Sequence, residues 1–224
     1  MRRVLRENGL SIFFFTIFLG TLCGQSLAGW RVHNQEQAAH GQPEIGWSRY
    51  VVSSDFGSNV LENWQSEWLQ FWIFALATVW LVQKGSNESK QPDEAGLEED
   101  SKQKVKGYAP DNAPRWAKAR DWRLTVYSNS FVLVMGAVFL ATWLAQSFAS
   151  WTFFNQEQEE HEEPTVSWAT YVTSADFWER SLQNWQSEFL AVGTMVVFTI
   201  YLRQRGSPES KPVGAPHAET GTSG

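Results

Sequence analysis

Four long apolar blocks, none containing a charged residue, constrain the fold of this chain more than any other feature. The first and third contain about 20 residues, and an α-helix of that length spans the roughly 30 Å hydrocarbon core of a bilayer. The second and fourth are shorter, so each needs the amphipathic stretch before it to complete a crossing. The blocks are Leu10–Trp30, Trp68–Val82, Phe131–Trp151 and Phe189–Leu202. They predict an all-α membrane protein with four transmembrane helices, at about 10–30, 66–82, 130–151 and 187–203.

The polar segments between and after the blocks lower the average hydrophobicity, so the overall composition does not show these blocks. The chain is 43% hydrophobic and 19% charged, which is ordinary for a soluble domain. Residues 85–114 and 206–224 are rich in charged residues, Ser, Pro and Gly, with few apolar residues. Such composition cannot bury enough apolar surface to fold alone, so it predicts a disordered cytoplasmic linker and a disordered cytoplasmic tail.

The first block also has features of a cleavable signal peptide. Basic residues precede an apolar core, and the small residues Ser26-Leu27-Ala28 follow it. The same pattern, Ser147-Phe148-Ala149, stands at the matching place in the third block, deep inside the chain. A signal peptidase site is not expected there, so both blocks are interpreted as membrane helices.

The chain repeats itself. Residues 8–90 align without a gap with 129–211, and 35 of the 83 positions are identical. The pentapeptide Asn-Trp-Gln-Ser-Glu occurs at 63–67 and again at 184–188. We interpret this as a tandem duplication of a two-helix hairpin. Because each hairpin crosses the membrane an even number of times, the two copies are expected to be parallel.

The predicted domains follow from the duplication. The first hairpin repeat occupies 1–84 with its outer loop at 31–65, and the second occupies 115–205 with its outer loop at 152–186. Within these loops we expect short interfacial helices outside the cytoplasm. Asp55 and Asp176 are the residues predicted to begin the helices that lead into the second and fourth blocks, because Asp is a favoured helix N-cap.

The basic residues give the orientation. The segments before the first block, between the second and third, and after the fourth contain 15 of the 18 Lys and Arg residues. The two outer loops contain only Arg31, Arg49 and Arg180. The positive-inside rule therefore predicts that both termini are cytoplasmic.

Three motifs resemble those of a known family. They are RRxLRxNGLS at residues 2–11, NWxSExLQ at 63–70 and GSxESK at 85–90. The chain resembles a family of uncharacterised bacterial integral membrane proteins catalogued as a domain of unknown function. The resemblance covers both hairpins and implies a multi-pass protein of the bacterial plasma membrane. It implies no activity.

A polar cluster is predicted near the outer ends of the helices. Asn63 and Glu67 are four residues apart and share a helix face, and Gln25 is at similar depth on the partner helix. With their counterparts in the second copy, the candidate residues are Gln25, Asn63, Glu67, Gln146, Asn184 and Glu188. These groups either hold the hairpins together through hydrogen bonds or bind a cation, a proton or a small polar solute.

Weaker candidates exist for a metal site. Glu36 with His40, and Glu157 with His161, are pairs four residues apart in the outer loops. The di-iron motif has Glu-x-x-His and the helical zinc motif has two His on one face, so these pairs match neither. A solvated helix surface is the favoured interpretation. The single Cys23 excludes a disulfide framework within the chain.

These observations favour a non-enzymatic structural or interaction component of the cell envelope. The alternative is a small transporter or channel that uses Gln25, Glu67, Gln146 and Glu188. A second alternative, a metal-dependent membrane enzyme, depends on the Glu and His pairs. No cofactor motif is present in the sequence. The expected partners are the lipid bilayer and either a second copy of the chain or another membrane protein, and no basic aromatic patch indicates nucleic acid.

Overall fold

The chain is all-helical, as the sequence predicts. The computed structural model describes residues 2–222, without the side chain of Arg2, and within that range it contains seven α-helices and no strand. The helices are α1 (Arg2–Ala39), α2 (Trp47–Tyr50), α3 (Ser54–Trp80), α4 (Trp122–Ser128), α5 (Ser130–Glu160), α6 (Trp168–Tyr171) and α7 (Ala175–Tyr201). Three short 3₁₀ turns, Pro92–Glu94, Lys106–Tyr108 and Arg115–Lys118, lie between α3 and α4.

Two helical stretches are long and apolar enough to cross a membrane by length and composition. They are Arg3–Ala39 in α1 and Ser130–Glu160, which is α5. Helices α3 and α7 contain 27 residues each, a length of about 40 Å. Within the described range they do not reach the same apolarity, because their first halves contain many polar and charged residues. Length and composition thus identify two candidate spans where the sequence pattern predicts four.

Serine residues, not the predicted aspartates, begin the helices that follow the outer loops. The hydroxyl of Ser53 accepts a hydrogen bond from the backbone N–H of Phe56, and that of Ser174 accepts one from Phe177, both at 3.3 Å. A hydroxyl at this position satisfies an N–H that has no partner inside the helix. Asp176 lies in the first turn of α7. The segments 55–67 and 176–188 are helical, but they are parts of the long helices α3 and α7.

An asparagine interrupts the helix at equivalent places in the two halves. Asn8 has non-helical backbone angles within α1, with φ −126° and ψ 17°. Asn129, which separates α4 from α5, has φ −110° and ψ 9°. Each side-chain amide donates to the carbonyl four residues before it, over 3.1 Å and 2.8 Å. Side-chain bonds of this kind compete with the helical backbone and bend it.

The chain forms two compact units. Unit 1 contains the described residues of Met1–Val60 and Gln146–Thr170, and unit 2 contains those of Leu61–Ala145 and Tyr171–Gly224. Each unit takes residues from both halves of the sequence. The reason is that α3 and α5 each contribute one part to unit 1 and the other to unit 2.

In unit 1, the repeated Trp and Asn residues fix the loop that follows each long helix. The indole of Trp30 donates to the carbonyl of Ile45 at 2.7 Å, and Asn34 exchanges two hydrogen bonds with the backbone of Ile45. Trp151 and Asn155 make the same three bonds to Val166. The Asn of the repeated Asn-Gln-Glu-Gln motif therefore holds a loop in place.

Unit 2 contains an aromatic core. Trp72 stacks on Phe139, and Phe139 stacks on Trp143, with ring centroids 5.7 Å apart in both pairs. Gly136 permits this packing, because a Cβ atom there would lie 2.9 Å from the indole nitrogen of Trp72. Leu69 and Phe177 are also buried in this unit. Close aromatic contacts of this kind stabilise a core beyond the area they bury.

Within unit 2, a buried lysine of the tail makes hydrogen bonds to the start of the linker and to the tail itself. Lys211 is fully buried, and its ammonium group donates to four backbone carbonyls at 2.7–3.2 Å. One of them belongs to Gly85 at the start of the linker, and the others to Pro216, His217 and Glu219. The backbone N–H of Gly85 also donates to the hydroxyl of Thr220 at 2.8 Å. Contacts of this kind depend on charge-assisted hydrogen bonds, which a rule based on apolar content does not consider.

Candidate functional site

The repeated pentapeptide forms a helix–helix contact in unit 2. The indole Nε1 of Trp185 in α7 donates to Oε1 of Gln65 in α3 at 2.8 Å. The hydroxyl of Ser66 donates to Oε1 of Glu188 at 3.3 Å, and Nε2 of Gln70 contacts the backbone carbonyl of Glu188 at 3.5 Å. Later residues of α3 thus meet later residues of α7, so the two helices run in the same direction in this unit.

The two middle residues of the first pentapeptide are the most buried part of this contact. Gln65 is 0% exposed and Ser66 is 1% exposed. The amide of Gln65 also donates to the carbonyl of Glu62 at 3.1 Å, so both of its polar atoms have partners. The hydroxyl of Ser66 has a second acceptor, the carbonyl of Asn63 at 2.8 Å. The single hydroxyl proton is divided between the two acceptors, so the longer Ser66–Glu188 bond is the weaker of the two.

A charged group lies one helical turn before this contact. The guanidinium of Arg180 is 3.1 Å from a carboxylate oxygen of Asp176 and 3.5 Å from one of Glu62. Burial disfavours the charged form of Arg180, but the carboxylates of Asp176 and Glu62 outweigh this effect and raise its pKa. Asp176 also accepts a hydrogen bond from the hydroxyl of Tyr171 at 2.9 Å. Asp176 therefore connects α6 to α7, which is a role that the sequence did not predict.

The six predicted cluster residues are divided between the two units. Gln25 and Gln146 belong to unit 1, while Asn63, Glu67, Asn184 and Glu188 belong to unit 2. Gln25, Asn63 and Glu67 are exposed, and Asn184 and Glu188 are half-buried. The side-chain amide of Asn184 donates within its own helix, to the carbonyl of Arg180 at 2.9 Å. Glu188 joins α7 to α3 through its contacts with Ser66 and Gln70.

Gln146 differs from its counterpart Gln25. It is fully buried, and neither polar atom of its side chain has a hydrogen-bond partner among the described residues. A buried amide without a partner costs about 1–3 kcal/mol, and such a group calls for a specific explanation. In both copies, the serine that follows this glutamine accepts a hydrogen bond from a tryptophan. Ser26 accepts a bond from the indole of Trp47 at 3.2 Å, and Ser147 accepts one from Trp168 at 3.1 Å.

Sequence reasoning missed Gln65, Ser66 and Trp185. The prediction of the polar cluster used the four-residue spacing of Asn63 and Glu67, which places them on one helix face. In the structure that face is exposed. Gln65 and Leu69 are also four residues apart, and Leu69 is buried. Gln186 and Leu190 have the same spacing and are both exposed, so this spacing was no signal that Gln65 faces the interior.

The weak metal candidates lie in unit 1. The rings of His40 and His161 meet edge to face with centroids 6.4 Å apart. Within residues 2–222, no group of three or more His, Cys, Asp and Glu side chains is arranged to hold a metal ion. Glu36, His40, Glu157 and His161 thus form no such group in the described part of the chain.

Tyr50 is a buried titratable group in unit 1. Its pKa is raised to about 12, first by burial and then by the negative charges of Asp55 and Glu36. Asp55 also contacts Nδ1 of His33 at 3.1 Å. Gly29 lies directly against the ring of Tyr50, whose Cε1 would be 3.3 Å from a Cβ at that position. This glycine is required for the close approach of the tyrosine.

The contacts in each unit join helices to one another or hold loops against helices. Comparison with known proteins places the chain in a family. No curated protein and no solved structure shows significant similarity to the chain. A family model described as "Domain of unknown function (DUF6766)" matches residues 1–222. Because this match covers nearly the full length, the chain belongs to the DUF6766 family.

Proposed function

We propose that this chain is an integral membrane protein that serves as a non-enzymatic structural or interaction component of the cell envelope. One observation carries the proposal. In the apolar 18-residue part of Arg3–Ala39, only 6% of the residues are buried by the rest of the protein. Phe13, Phe14, Phe15 and Leu19 are each more than half exposed. Soluble proteins rarely expose contiguous apolar surface of this extent, whereas lipid would cover it.

Exposed apolar surface on the other long helices supports four membrane crossings in two parallel hairpins. Leu133, Val134 and Leu140 of α5 are more than half exposed, and α7 exposes Val197 and Phe198 near its end. Helices α3 and α7 are each long enough to span a bilayer. Their shared direction in unit 2 supports parallel hairpins, and the distribution of basic residues supports cytoplasmic termini. The plasma membrane of a bacterium is the location that fits this topology and the distribution of basic residues.

The non-enzymatic part of the proposal is supported by what the repeated polar residues contact. Asn34 and Asn155 hold loops, and Gln65 holds a neighbouring helix. Groups that are occupied with internal hydrogen bonds are suited to fixing a structure. In the proposed role, the exposed surface of this rigid structure binds a partner within the membrane.

Alkaline carbonate extraction of membranes that contain the full chain tests the membrane assignment. The chain should remain in the membrane pellet, because only lipid covers the α1 surface. Release into the supernatant would contradict the proposal.

Topology is tested by thiol labelling in a Cys23→Ser background, with His40→Cys, His161→Cys and Gly96→Cys made singly. The first two should react from outside and the third from inside, and opposite labelling of the two outer loops would exclude parallel hairpins.

A second candidate function, transport of a proton, a cation or a small polar solute, is favoured by Gln146. A water molecule or a solute beside its buried amide would supply the missing hydrogen bonds. Proteoliposomes containing the full chain should then show a flux that Gln146→Leu abolishes without loss of the folded protein. If the role is structural, the parent chain shows no flux, and Gln146→Leu is neutral or raises thermal stability because it removes an unsatisfied amide.

A further inference from the structure

Residues 115–123 of unit 2 form a short basic segment before the long helix α5, with the sequence Arg-Trp-Ala-Lys-Ala-Arg-Asp-Trp-Arg. This basic segment contains four positive charges and one negative charge, and all five charged side chains are exposed. Ala117 within it and Leu124 directly after it are buried, at 7% and 9% exposure. The segment is therefore anchored by small apolar contacts and presents its charges on the outside.

Lysine residues of the preceding linker have acidic partners. The ammonium group of Lys102 lies 2.7 Å from a carboxylate oxygen of Glu94, and that of Lys106 lies 2.7 Å from one of Asp100. Lys90 is paired in the same way with Glu98, at 3.1 Å. The positive charge of these three lysines is therefore balanced within the chain.

The basic segment has fewer such partners. In the part of the chain that the structure describes, Arg115 and Arg120 form no ion pair. Lys118 donates to a backbone carbonyl, that of Asp111, at 2.7 Å. Arg123 has a carboxylate partner, Asp121, at 3.7 Å. Three positive charges of the segment thus remain available to an external anion.

Two tryptophans lie between these basic residues. The rings of Trp116 and Trp122 meet edge to face with centroids 5.9 Å apart, and their side chains are 40% and 64% exposed. The guanidinium carbon of Arg123 lies 6.0 Å from the centroid of the Trp122 ring. An indole has an apolar ring and one N–H donor, so it is most stable in the headgroup layer of a bilayer.

We propose that the basic segment binds the phosphate-bearing headgroups of anionic phospholipids in the cytoplasmic leaflet. Arg115 and Arg120 donate to phosphate oxygens, which the planar guanidinium group matches with two parallel N–H bonds. Lys118 adds a third positive charge, while Trp116 and Trp122 lie among the headgroups. This inference rests on the proposed membrane location with a cytoplasmic linker.

Continuity with α5 identifies the bilayer as the partner. Helix α4 begins at Trp122 inside the basic segment, and α5 begins at Ser130, directly after the non-helical Asn129. A cluster of Lys and Arg residues at the cytoplasmic end of a membrane helix is typical of binding to anionic lipids. A nucleic acid is disfavoured, because the negative potential of the leaflet repels it from a segment that lies beside the bilayer.

The lipid preference of the full chain tests the proposal. The chain is reconstituted into vesicles of equal parts phosphatidylcholine and phosphatidylglycerol and is then extracted with a mild detergent. Mass spectrometry counts the headgroups that co-purify. Phosphatidylglycerol should exceed phosphatidylcholine, and the excess should shrink in high salt because exposed charges are screened.

Two matched variants separate this segment from net charge. Arg115→Gln, Lys118→Gln and Arg120→Gln together should remove the excess of phosphatidylglycerol. The control removes the same amount of charge from the paired lysines, with Lys90→Gln, Lys102→Gln and Lys106→Gln, and should keep the excess. If the first triple variant does not fold, Arg120→Gln alone should lower the preference by up to about fivefold.

Several results would overturn the proposal. The parent chain could co-purify both lipids equally, or both triple variants could lose the excess to the same extent, which would assign the effect to net charge. Excess glycerol 1-phosphate could also remove the bound phosphatidylglycerol, which would make a soluble phosphate the ligand. Displacement by a short single-stranded oligonucleotide would make a nucleic acid the partner.

Failure of the membrane proposal is recognised separately by carbonate extraction. A chain that does not insert still contains the basic segment, so it is mixed with vesicles of each single lipid and centrifuged in a density gradient. Flotation with phosphatidylglycerol vesicles and not with phosphatidylcholine vesicles would support the lipid-binding surface on its own. Equal flotation, or none, would overturn it.

Discussion

The indole nitrogen of Trp185 donates a 2.8 Å hydrogen bond to the side-chain oxygen of Gln65, although the two residues are 120 positions apart. They occupy different places in two identical pentapeptides, one as the donor and the other as the acceptor. A repeated motif therefore has two unequal roles in one molecule. The difference between the two roles can be measured by substituting equivalent residues of the two copies and comparing the variants.

Gln65→Ala is expected to destabilise the chain, and Gln186→Ala is not. The first change leaves the indole N–H of Trp185 without its acceptor in a buried place, at a cost of about 1–3 kcal/mol. Gln186 is exposed, and surface changes of this kind usually stay within about 0.5 kcal/mol. Thermal unfolding of the detergent-solubilised monomer measures both. Equal effects of the two variants would contradict the unequal roles.

Glu188 and Glu67 should also respond differently to substitution. Glu188→Ala removes one of the two acceptors of Ser66, and polar contacts between membrane helices contribute about 0.6 kcal/mol on average. Glu188→Gln keeps an acceptor oxygen, so it should retain most of the stability. Glu67→Ala should have little effect on the monomer. A cation- or proton-dependent flux in proteoliposomes that is lost in Glu188→Gln would favour the transporter instead.

Lys211→Met should release the tail from the linker. Hydrogen bonds to charged groups contribute about 1.5–3 kcal/mol, and the substitution leaves four carbonyls without this donor. Hydrogen exchange in residues 203–222 should become faster. Lys90→Met is the matched control, since Lys90 is the equivalent residue of the first copy and bonds to Gly96 and Glu98 near the surface. The same increase in exchange in both variants would exclude a special role for Lys211.

Gly29→Ala should destabilise unit 1. The new methyl group would collide with the ring of Tyr50, and overpacking of this kind typically costs about 1–3 kcal/mol. The equivalent position in the second copy is Ser150, which already has a side chain. Ser150→Ala loses one hydrogen bond to the carbonyl of Gln146 and should cost less. Thermal unfolding distinguishes the two, and a neutral Gly29→Ala would show that Tyr50 can move without cost.

Stability should fall at high pH because of Tyr50. Its pKa is raised from 10.0 to about 12 in the folded chain, so folding favours the protonated phenol. This stabilisation is fully present below pH 10 and is lost as the pH rises through about 12. Two pKa units correspond to about 2–3 kcal/mol at most. Comparison of unfolding between pH 9 and pH 12 in the parent and in Tyr50→Phe isolates the effect, which should be absent in the variant.

Much of the local structure could be predicted from sequence. Charge-free apolar blocks and helix-compatible segments locate the long helices, because backbone hydrogen bonds within a segment depend on that segment alone. The duplication also predicts equivalent local bonds, and Asn8 with Asn129 shows such a pair. The hydrogen bonds of Lys211 could not be predicted from composition, because they join one ammonium group to carbonyls from distant parts of the chain.

By itself, the sequence determined the helical class, the places where long apolar helices form, and the repetition of local contacts such as Trp30 with Ile45 and Trp151 with Val166. Only the tertiary structure decided which copy of a repeated residue is buried. Gln65 and Gln186 have the same neighbours in sequence, so no local rule can distinguish them. The physical reason is that burial depends on which surface packs against a helix, and α7 covers Gln65 while Gln186 stays open.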